Sequence, residues 1–332
     1  MASPSPGMGK IRGLMQLADG AGIFRILACD QRGTMAEMMA SAGVAHPGFQ
    51  ELSRAKVDIV GAAADRVSGV LLDPEYGGIA LASRVLPGRV GLAVPIEATG
   101  YEARAGDRLA RPIAEWSVAK IKRMGASAVK LLVHYNPTRS AAAEAQDAFI
   151  ARVAADCRRF DIPLILEGVV YPAPGQDPAA FAAVRTDLVV ATAERLTAHD
   201  IDLYKAEFPV HPDHSRDRAL WERAAARLHA ACRTPWALLS AGVDFETYAA
   251  QLEVACAQGA SGFVAGRAIW QEAIRLRADA ERGAFLRGEM LRRLDVLAAI
   301  AARGRPWFEA ASHRYRPEER GQEGWHAAYP EP

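Results

Sequence analysis

The chain has 332 residues, with 40 Lys+Arg against 39 Asp+Glu and half of all residues hydrophobic. A formal charge of +1 gives no electrostatic footprint for nucleic acid or an anionic membrane surface, and no apolar run approaches the ~18 residues of a membrane span. Met1–Lys10 is Ser/Pro/Gly-rich without an apolar centre, so it does not read as a secretory signal, and Cys29, Cys157, Cys232 and Cys256 show no CxxC spacing, which points to reduced thiols in a cytoplasmic protein.

In chain order, β-rich runs are predicted at Ile23–Cys29, Val67–Leu72, Val90–Ile96, Ala128–His134, Leu164–Val170, Asp202–Phe208, Trp236–Ser240 and Gly262–Ala265. Helical periodicity fills the intervals at Gly48–Ala64, Ala114–Met124, Ser140–Phe160, Pro178–His199, Ser215–Cys232, Phe245–Gln258 and Ile269–Leu276, with a further helix near Arg275–Ala302. Several strands are continuous apolar runs, as parallel strands covered on both faces are. Eight such units match a single-domain (β/α)8 TIM barrel, whose usual size is about 250 residues. A doubly wound sheet is the alternative, weakened because Cys29-Asp30-Gln31-Arg32-Gly33 stands where a GxGxxG would follow the first strand. The reading divides the chain into an extension (1–20), the barrel (21–302) and a polar tail (303–332), with Gly77–Arg111 the longest irregular stretch.

Only six of the 40 basic residues are lysine: Lys10, Lys56, Lys120, Lys122, Lys130 and Lys205. Arginine is never deprotonated, whereas a buried lysine can be tuned to a free amine, so a lysine kept against this background is a candidate for chemistry a guanidinium cannot do. Two of them lie inside apolar strands, Lys130 in Ala-Val-Lys-Leu-Leu-Val and Lys205 in Asp-Leu-Tyr-Lys-Ala-Glu, and Glu167 lies in Leu-Ile-Leu-Glu-Gly. Embedded charges are costly unless paired, so these are expected to converge. Each lysine could do no more than neutralise buried Glu167 or Glu207. In the catalytic reading one is an amine nucleophile, its pKa lowered by desolvation and by the other cation, with Glu167 moving protons.

Function in such a barrel gathers where strands end. The ends carry Asp30-Gln31-Arg32, Asp73-Pro74-Glu75, Glu97 with Thr99-Gly100-Tyr101, Ser240-Ala241-Gly242 and Gly266-Arg267. The last two, after strands seven and eight, read as an anion site of close backbone N–H groups and one guanidinium. His211-Pro212-Asp213-His214 reads as a solvated turn, and no HExxH or HxH spacing supports a zinc-dependent reaction. Asp73 is read as structural or as a partner for a substrate hydroxyl.

Taken in order, Leu27–Gly33, Leu71–Gly77, Ala128–Leu132, Leu166-Glu167, Asp202–Glu207, Leu239–Val243 and Ala265–Trp270 resemble the class I tagatose 1,6-bisphosphate aldolase family, which includes the sulfofructose 1-phosphate aldolases. The resemblance runs from about Ile23 to Trp270. It implies a Schiff-base lyase on a (β/α)8 barrel, with no cofactor and no metal. Lys205 would form the imine, Glu167 would shuttle protons and Lys130 would be the neighbouring cation. Asp30 and Gln31 would touch substrate hydroxyls, and Ser240, Gly242, Gly266 and Arg267 would hold a C1 phosphate. The implied partner is a phosphosugar, a ketohexose 1-phosphate with a second anion at C6 (phosphate or sulfonate), cleaved to dihydroxyacetone phosphate and a three-carbon aldehyde; self-association is expected by analogy alone. For the C6 anion the candidates are Arg32, Arg104 and His134. A different class stays open, a sugar-phosphate sensor that binds without cleaving.

Overall fold

The computed structural model describes residues 7–104, 106–310 and 321–331. Strands β1 (Phe24–Cys29), β2 (Gly69–Leu72), β3 (Gly91–Pro95), β6 (Ala128–Tyr135), β7 (Leu164–Val170), β8 (Leu203–Ala206), β9 (Trp236–Leu239) and β10 (Gly262–Ala265) are all parallel and close into an eight-stranded barrel. The remaining pair, β4 (Glu102–Arg104) and β5 (Asp107–Leu109), is an antiparallel hairpin over the mouth. Outside run α2 (Gly33–Ser41), α3 (Phe49–Ala63), α4 (Gly78–Ala82), α5 (Val118–Arg123), α6 (Ser140–Arg159), α7 (Pro178–Leu196), α8 (Arg218–Ala231), α9 (Phe245–Ala257) and α10 (Arg267–Arg275). The predicted (β/α)8 barrel is therefore the architecture.

Closure joins β1 to β10 with Phe24 opposite Gly262. Gly262 has φ +118°, and a Cβ there would fall 2.1 Å from the Phe24 carbonyl oxygen, so only glycine lets the two strands meet. The main core lies between strands and helices, while a second apolar layer fills the barrel itself with Phe24, Ile26, Leu71, Ile165, Leu203 and Val264. That inner layer is sealed at the N-terminal end by α1 (Met8–Leu17), whose Leu14 and Leu17 are fully buried, and by Trp307 at the start of α13 (Trp307–Ala310).

Five stretches depart from the predicted elements, the first being α2 (Gly33–Ser41), where no helix was predicted. The expected extension holds α1 from residue 8 onward, and the expected tail sends Trp307 into the core; residues 1–6, 311–320 and 332 of those two segments lie outside the described residues. The helix predicted near Arg275–Ala302 is two, α11 (Asp279–Arg287) and α12 (Glu289–Ala301), because Gly288 takes φ −110°, ψ −87° and breaks the helical run. The irregular span 77–111 contains α4 and the β4–β5 hairpin. Among the described residues, no helix is long and apolar enough to cross a membrane.

Candidate active site

Glu167 and Lys205 stand opposite each other in the register of β7 and β8, so their side chains leave adjacent strands side by side. Lys130 pairs with Ile165, one inward position below Glu167, and its long stem rises to the same level. The result is one carboxylate oxygen shared by two ammonium groups: Glu167 Oε2 is 2.9 Å from Lys205 Nζ and 3.1 Å from Lys130 Nζ. Lys130 also donates to Glu97 Oε1 at 2.6 Å and to Asp30 Oδ2 at 3.1 Å. All but Asp30 are at most 6% exposed. The sequence expectation that the embedded charges converge holds, with one change of partner. Glu207 is held by Arg185 at 3.0 Å and by the Val170 amide at 2.8 Å, and pairs with neither lysine.

The electrostatics divide the two lysines. Burial pulls the Lys130 pKa down, but the charges of Asp30, Glu167 and Glu97 outweigh it and raise the pKa well above the ordinary value. Lys130 is thus the permanent cation, so the lowered amine pKa expected for one of the pair does not belong to it. Burial pushes Glu167 up, and the Lys130 and Lys205 ammonium groups more than reverse this, holding it below the usual carboxylate range. Asp30 is depressed in the same way, burial opposing and Lys130 prevailing. Glu97 is the contrary case: burial raises it further than Lys130 lowers it.

A cavity of about 450 Å³, within the usual range for small-ligand sites, opens over this centre. It is lined by Asp30, Gln31, Glu97, Lys130, Glu167, Lys205, Ser240, Gly266 and Arg267. At its β9–β10 edge the Ser240 hydroxyl accepts from the Gly266 amide at 3.4 Å. Ala241 (φ +48°) and Gly242 (φ +82°) form a tight left-handed turn closed by the Val243 amide on the Ser240 carbonyl. Of the predicted anion-site residues, Gly242 alone is not on the cavity wall. It lies against the Arg267 guanidinium, where a Cβ would fall 2.8 Å from Cζ, and so leaves room for that side chain. α10 starts at Arg267, bringing the positive end of its backbone dipole to the same edge.

Of the residues considered for a distal anion, His134 lines the cavity. Arg32 also lines it, but its guanidinium donates to Glu75 at 3.2 Å and to the Glu97 carbonyl at 2.9 Å. Arg104 is exposed on β4. The His211–His214 segment is a turn on the surface, and among the described residues no group of three or more His, Cys, Asp or Glu side chains is placed to hold a metal ion.

Sequence reasoning missed the role of Lys56. Its side chain is fully buried; Nζ donates to the carbonyls of Cys29 (2.6 Å) and Gln31 (2.8 Å) and pairs with Asp73 at 2.6 Å. Those two carbonyls flank Asp30, so Lys56 grips the loop that presents Asp30 and Gln31 to the cavity. Asp73 is accounted for by this pair and by accepting the Tyr76 amide at 2.8 Å. The signal was available: Lys56 falls on the apolar stripe of α3 with Leu52, Ile59, Val60 and Ala63.

An amine beside a carboxylate and a second fixed cation, under a cavity with an anion cradle at one edge, can condense with a phosphorylated ketone and pass protons within the site. Comparison with known proteins points the same way. A family model described as DeoC/LacD family aldolase matches residues 24–272. A tagatose 1,6-diphosphate aldolase of Staphylococcus haemolyticus (strain JCSC1435) is 33% identical over 284 residues, covering 80% of this chain and 86% of its own. One of Staphylococcus aureus (strain JH9) is 32% identical over 283 residues with the same coverage. Among solved structures, an archaeal fructose 1,6-bisphosphate aldolase superposes with a TM-score of 0.61 at 20% identity, over 88% of this chain and 98% of that one. The fructose-bisphosphate aldolase of Plasmodium falciparum gives 0.66 at 14% identity, over 92% and 99%. At these identities the structures speak for the fold alone.

Proposed function

The chain belongs to the DeoC/LacD family of aldolases, carbon–carbon lyases of the Schiff-base class, and on that premise we propose that it cleaves a ketohexose 1-phosphate bearing a second anion at C6, tagatose 1,6-bisphosphate or its 6-sulfonate counterpart, into dihydroxyacetone phosphate and a three-carbon aldehyde. The observation that carries the reading is the single Glu167 oxygen shared by the Lys130 and Lys205 ammonium groups. Lys205 passes a proton to the Glu167 carboxylate and its amine adds to the C2 carbonyl. Glu167 then returns the proton to the carbinolamine hydroxyl, which leaves as water and gives the iminium. Glu167, ionised again, accepts the C4 hydroxyl proton as C3–C4 breaks; the electron pair of that bond moves into the enamine, with the iminium as sink, and the aldehyde departs. Glu167 then gives the proton to C3, and water hydrolyses the imine to release dihydroxyacetone phosphate and restore Lys205.

The remaining roles follow from position. Lys130, held charged by three carboxylates, keeps Glu167 ionised until the amine needs it. Asp30 and Gln31 meet substrate hydroxyls at the mouth of β1. Ser240, Gly266 and Arg267 receive the C1 phosphate, with Gly242 making room for the Arg267 guanidinium. The chemistry needs no cofactor, because the covalent imine is the electron sink.

Borohydride reduction in the presence of dihydroxyacetone phosphate, followed by peptide mapping, tests the assignment. A reduced adduct on Lys205 supports it, an adduct on Lys130 exchanges the two roles, and binding without an adduct favours a sensor. Lys205→Arg keeps a cation beside Glu167 and is expected to fold, while turnover falls by at least about 10³-fold, the scale on which removing a nucleophile acts. Activity retained in that variant overturns the assignment.

A further inference from the structure

Around the barrel the strands run β1, β2, β3, β6, β7, β8, β9, β10 and back to β1. The anion cradle at the ends of β9 and β10 therefore faces, straight across the mouth, the ends of β3 and β6. If the C1 phosphate sits in the cradle and Lys205 on β8 holds C2, the far end of the sugar is carried towards that opposite side. Tyr101, which follows β3, and His134, on β6, line the cavity there with ring centroids 5.0 Å apart.

Behind these rings lies a cation the sequence analysis did not single out. The Arg108 guanidinium on β5 is 5.1 Å from the Tyr101 ring centroid and 5.3 Å from that of Tyr171. The hairpin backbone that carries it is held by three side chains, those of Gln146, Tyr171 and Arg139. Buried Gln146 donates to the carbonyls of both Arg108 (3.0 Å) and His134 (3.1 Å), tying the hairpin to β6. The Tyr171 hydroxyl donates to Asp107 at 3.3 Å, and Asp107 is in turn gripped by Arg139 through 2.7 and 3.2 Å hydrogen bonds. Asp107, the adjacent residue, is thus spent on Arg139, and among the described residues no carboxylate lies within ion-pair distance of Arg108. A guanidinium held over aromatic faces without an anionic partner is free to take one. Arg267, at the opposite edge of the cavity, likewise has no ion pair among the described residues. His134 is pushed down to about 4, by burial first and by the Arg108 charge second, so near neutral pH it offers an uncharged ring N–H beside that cation.

We propose that Arg108, assisted by His134, receives the terminal oxyanion of the substrate, a phosphate or sulfonate at the end of the sugar remote from the C1 phosphate. The inference rests on the Schiff-base reading of Lys205 and deepens it by locating the group that sets substrate class. Arg32 and Arg104 are not needed: the first is committed to Glu75 and the Glu97 carbonyl, and the second is exposed on the hairpin's other strand.

The test compares initial rates of the full chain on three substrates, a ketohexose 1-phosphate, its 1,6-bisphosphate and the 6-sulfonate 1-phosphate. The wild type is expected to favour the doubly anionic substrates, and whichever of the two it prefers identifies the distal group. Arg108→Gln is expected to lower the ratio of kcat/KM, doubly anionic over singly anionic, by about ten- to a hundredfold, mainly through KM, the loss that follows removal of a hydrogen bond to a charged group. Tyr101→Ala, which removes one face of the stack, is expected to lower the same ratio, and it serves as the test if Arg108→Gln melts early. Equal losses on all three substrates, an unchanged ratio in both variants, or a wild type indifferent to the distal anion each overturn the proposal. The dihydroxyacetone phosphate adduct of the wild type separates this failure from the larger one. That ligand has no distal anion, so an adduct on Lys205 with an unchanged ratio removes only the subsite, whereas no adduct removes the Lys205 reading itself.

Discussion

Lys130 holds Glu97, Glu167 and Asp30 together, and its charge helps to hold the Glu167 pKa below the usual carboxylate range. Because the ammonium favours the ionised form of Glu167, the proposed proton acceptor stays available further into acid than an ordinary carboxylate. Replacing Lys130 with Met removes a cation that favours the carboxylate, so the Glu167 pKa rises and the acid limb of the kcat/KM–pH profile moves to higher pH. The shift is expected to be about one unit or more, the usual effect of an opposite charge at this distance, with Lys130→Arg as the charge-preserving control. An unmoved acid limb would mean that another group governs it. At this scale the sequence was legible where a charge interrupted an apolar strand, as at Lys130, Glu167 and Lys205. Lys56 was missed, its place on the apolar stripe of α3 outweighed by the habit of helix lysines to lie in water, and Glu97 was not legible, since its neighbours come from β1 and β6. The lysines themselves make a pattern: Lys10, Lys56, Lys130 and Lys205 are all buried, each against a carboxylate. A compact ammonium can meet several converging oxygens where a planar guanidinium would not fit.

Among the elements, the β4–β5 hairpin is the one on which substrate class is proposed to depend, and it was hidden in what reads as irregular chain. Its strands are three residues each and have no buried face, so no alternation marks them. Gly106 in its turn has φ +81°, and a Cβ there would meet Pro174 Cγ at 2.4 Å. Gly106→Ala is therefore expected to lift the hairpin, at a cost of about 1–2 kcal/mol for the left-handed backbone alone. Hydrogen exchange should show protection of hairpin amides falling about tenfold, with barrel-strand amides unchanged; global loss of protection would show that the hairpin belongs to the barrel's cooperative unit. The eight strands were legible to within a few residues because both faces are covered and their apolar runs are continuous. α1 was not, since Gly9 and Gly13 lower its helical signal. Those glycines are there for contact: a Cβ at Gly13 would fall 2.2 Å from the Ser127 carbonyl oxygen.

For the whole molecule, the end of the barrel opposite the candidate site is closed by a seal. There Lys10 of α1 donates to Asp202 at 2.8 Å, both groups buried, and Asp202 also accepts the Leu164 amide at 2.9 Å. Lys10→Met leaves the Asp202 carboxylate buried without its cation, and urea unfolding is expected to show a loss of about 3–5 kcal/mol. A change below about 1 kcal/mol would mean that Asp202 is stabilised by the backbone amide alone. The barrel class was readable from the alternation of strands and helices, but this seal was not, because its pairs join residues far apart in the chain. During synthesis that separation is a delay. α1 leaves the ribosome first, yet its ionic partner follows 192 residues later and Trp307 later still. β1 waits longer for β10, whose Gly262 pairs with Phe24, than Lys10 does for Asp202. Until then a nascent chain carries an unpaired edge on β1 and an α1 that β1, β2, β3 and β6 can cover only in part, so the greatest exposure to chaperones and to aggregation falls in the long interval before the last strand emerges.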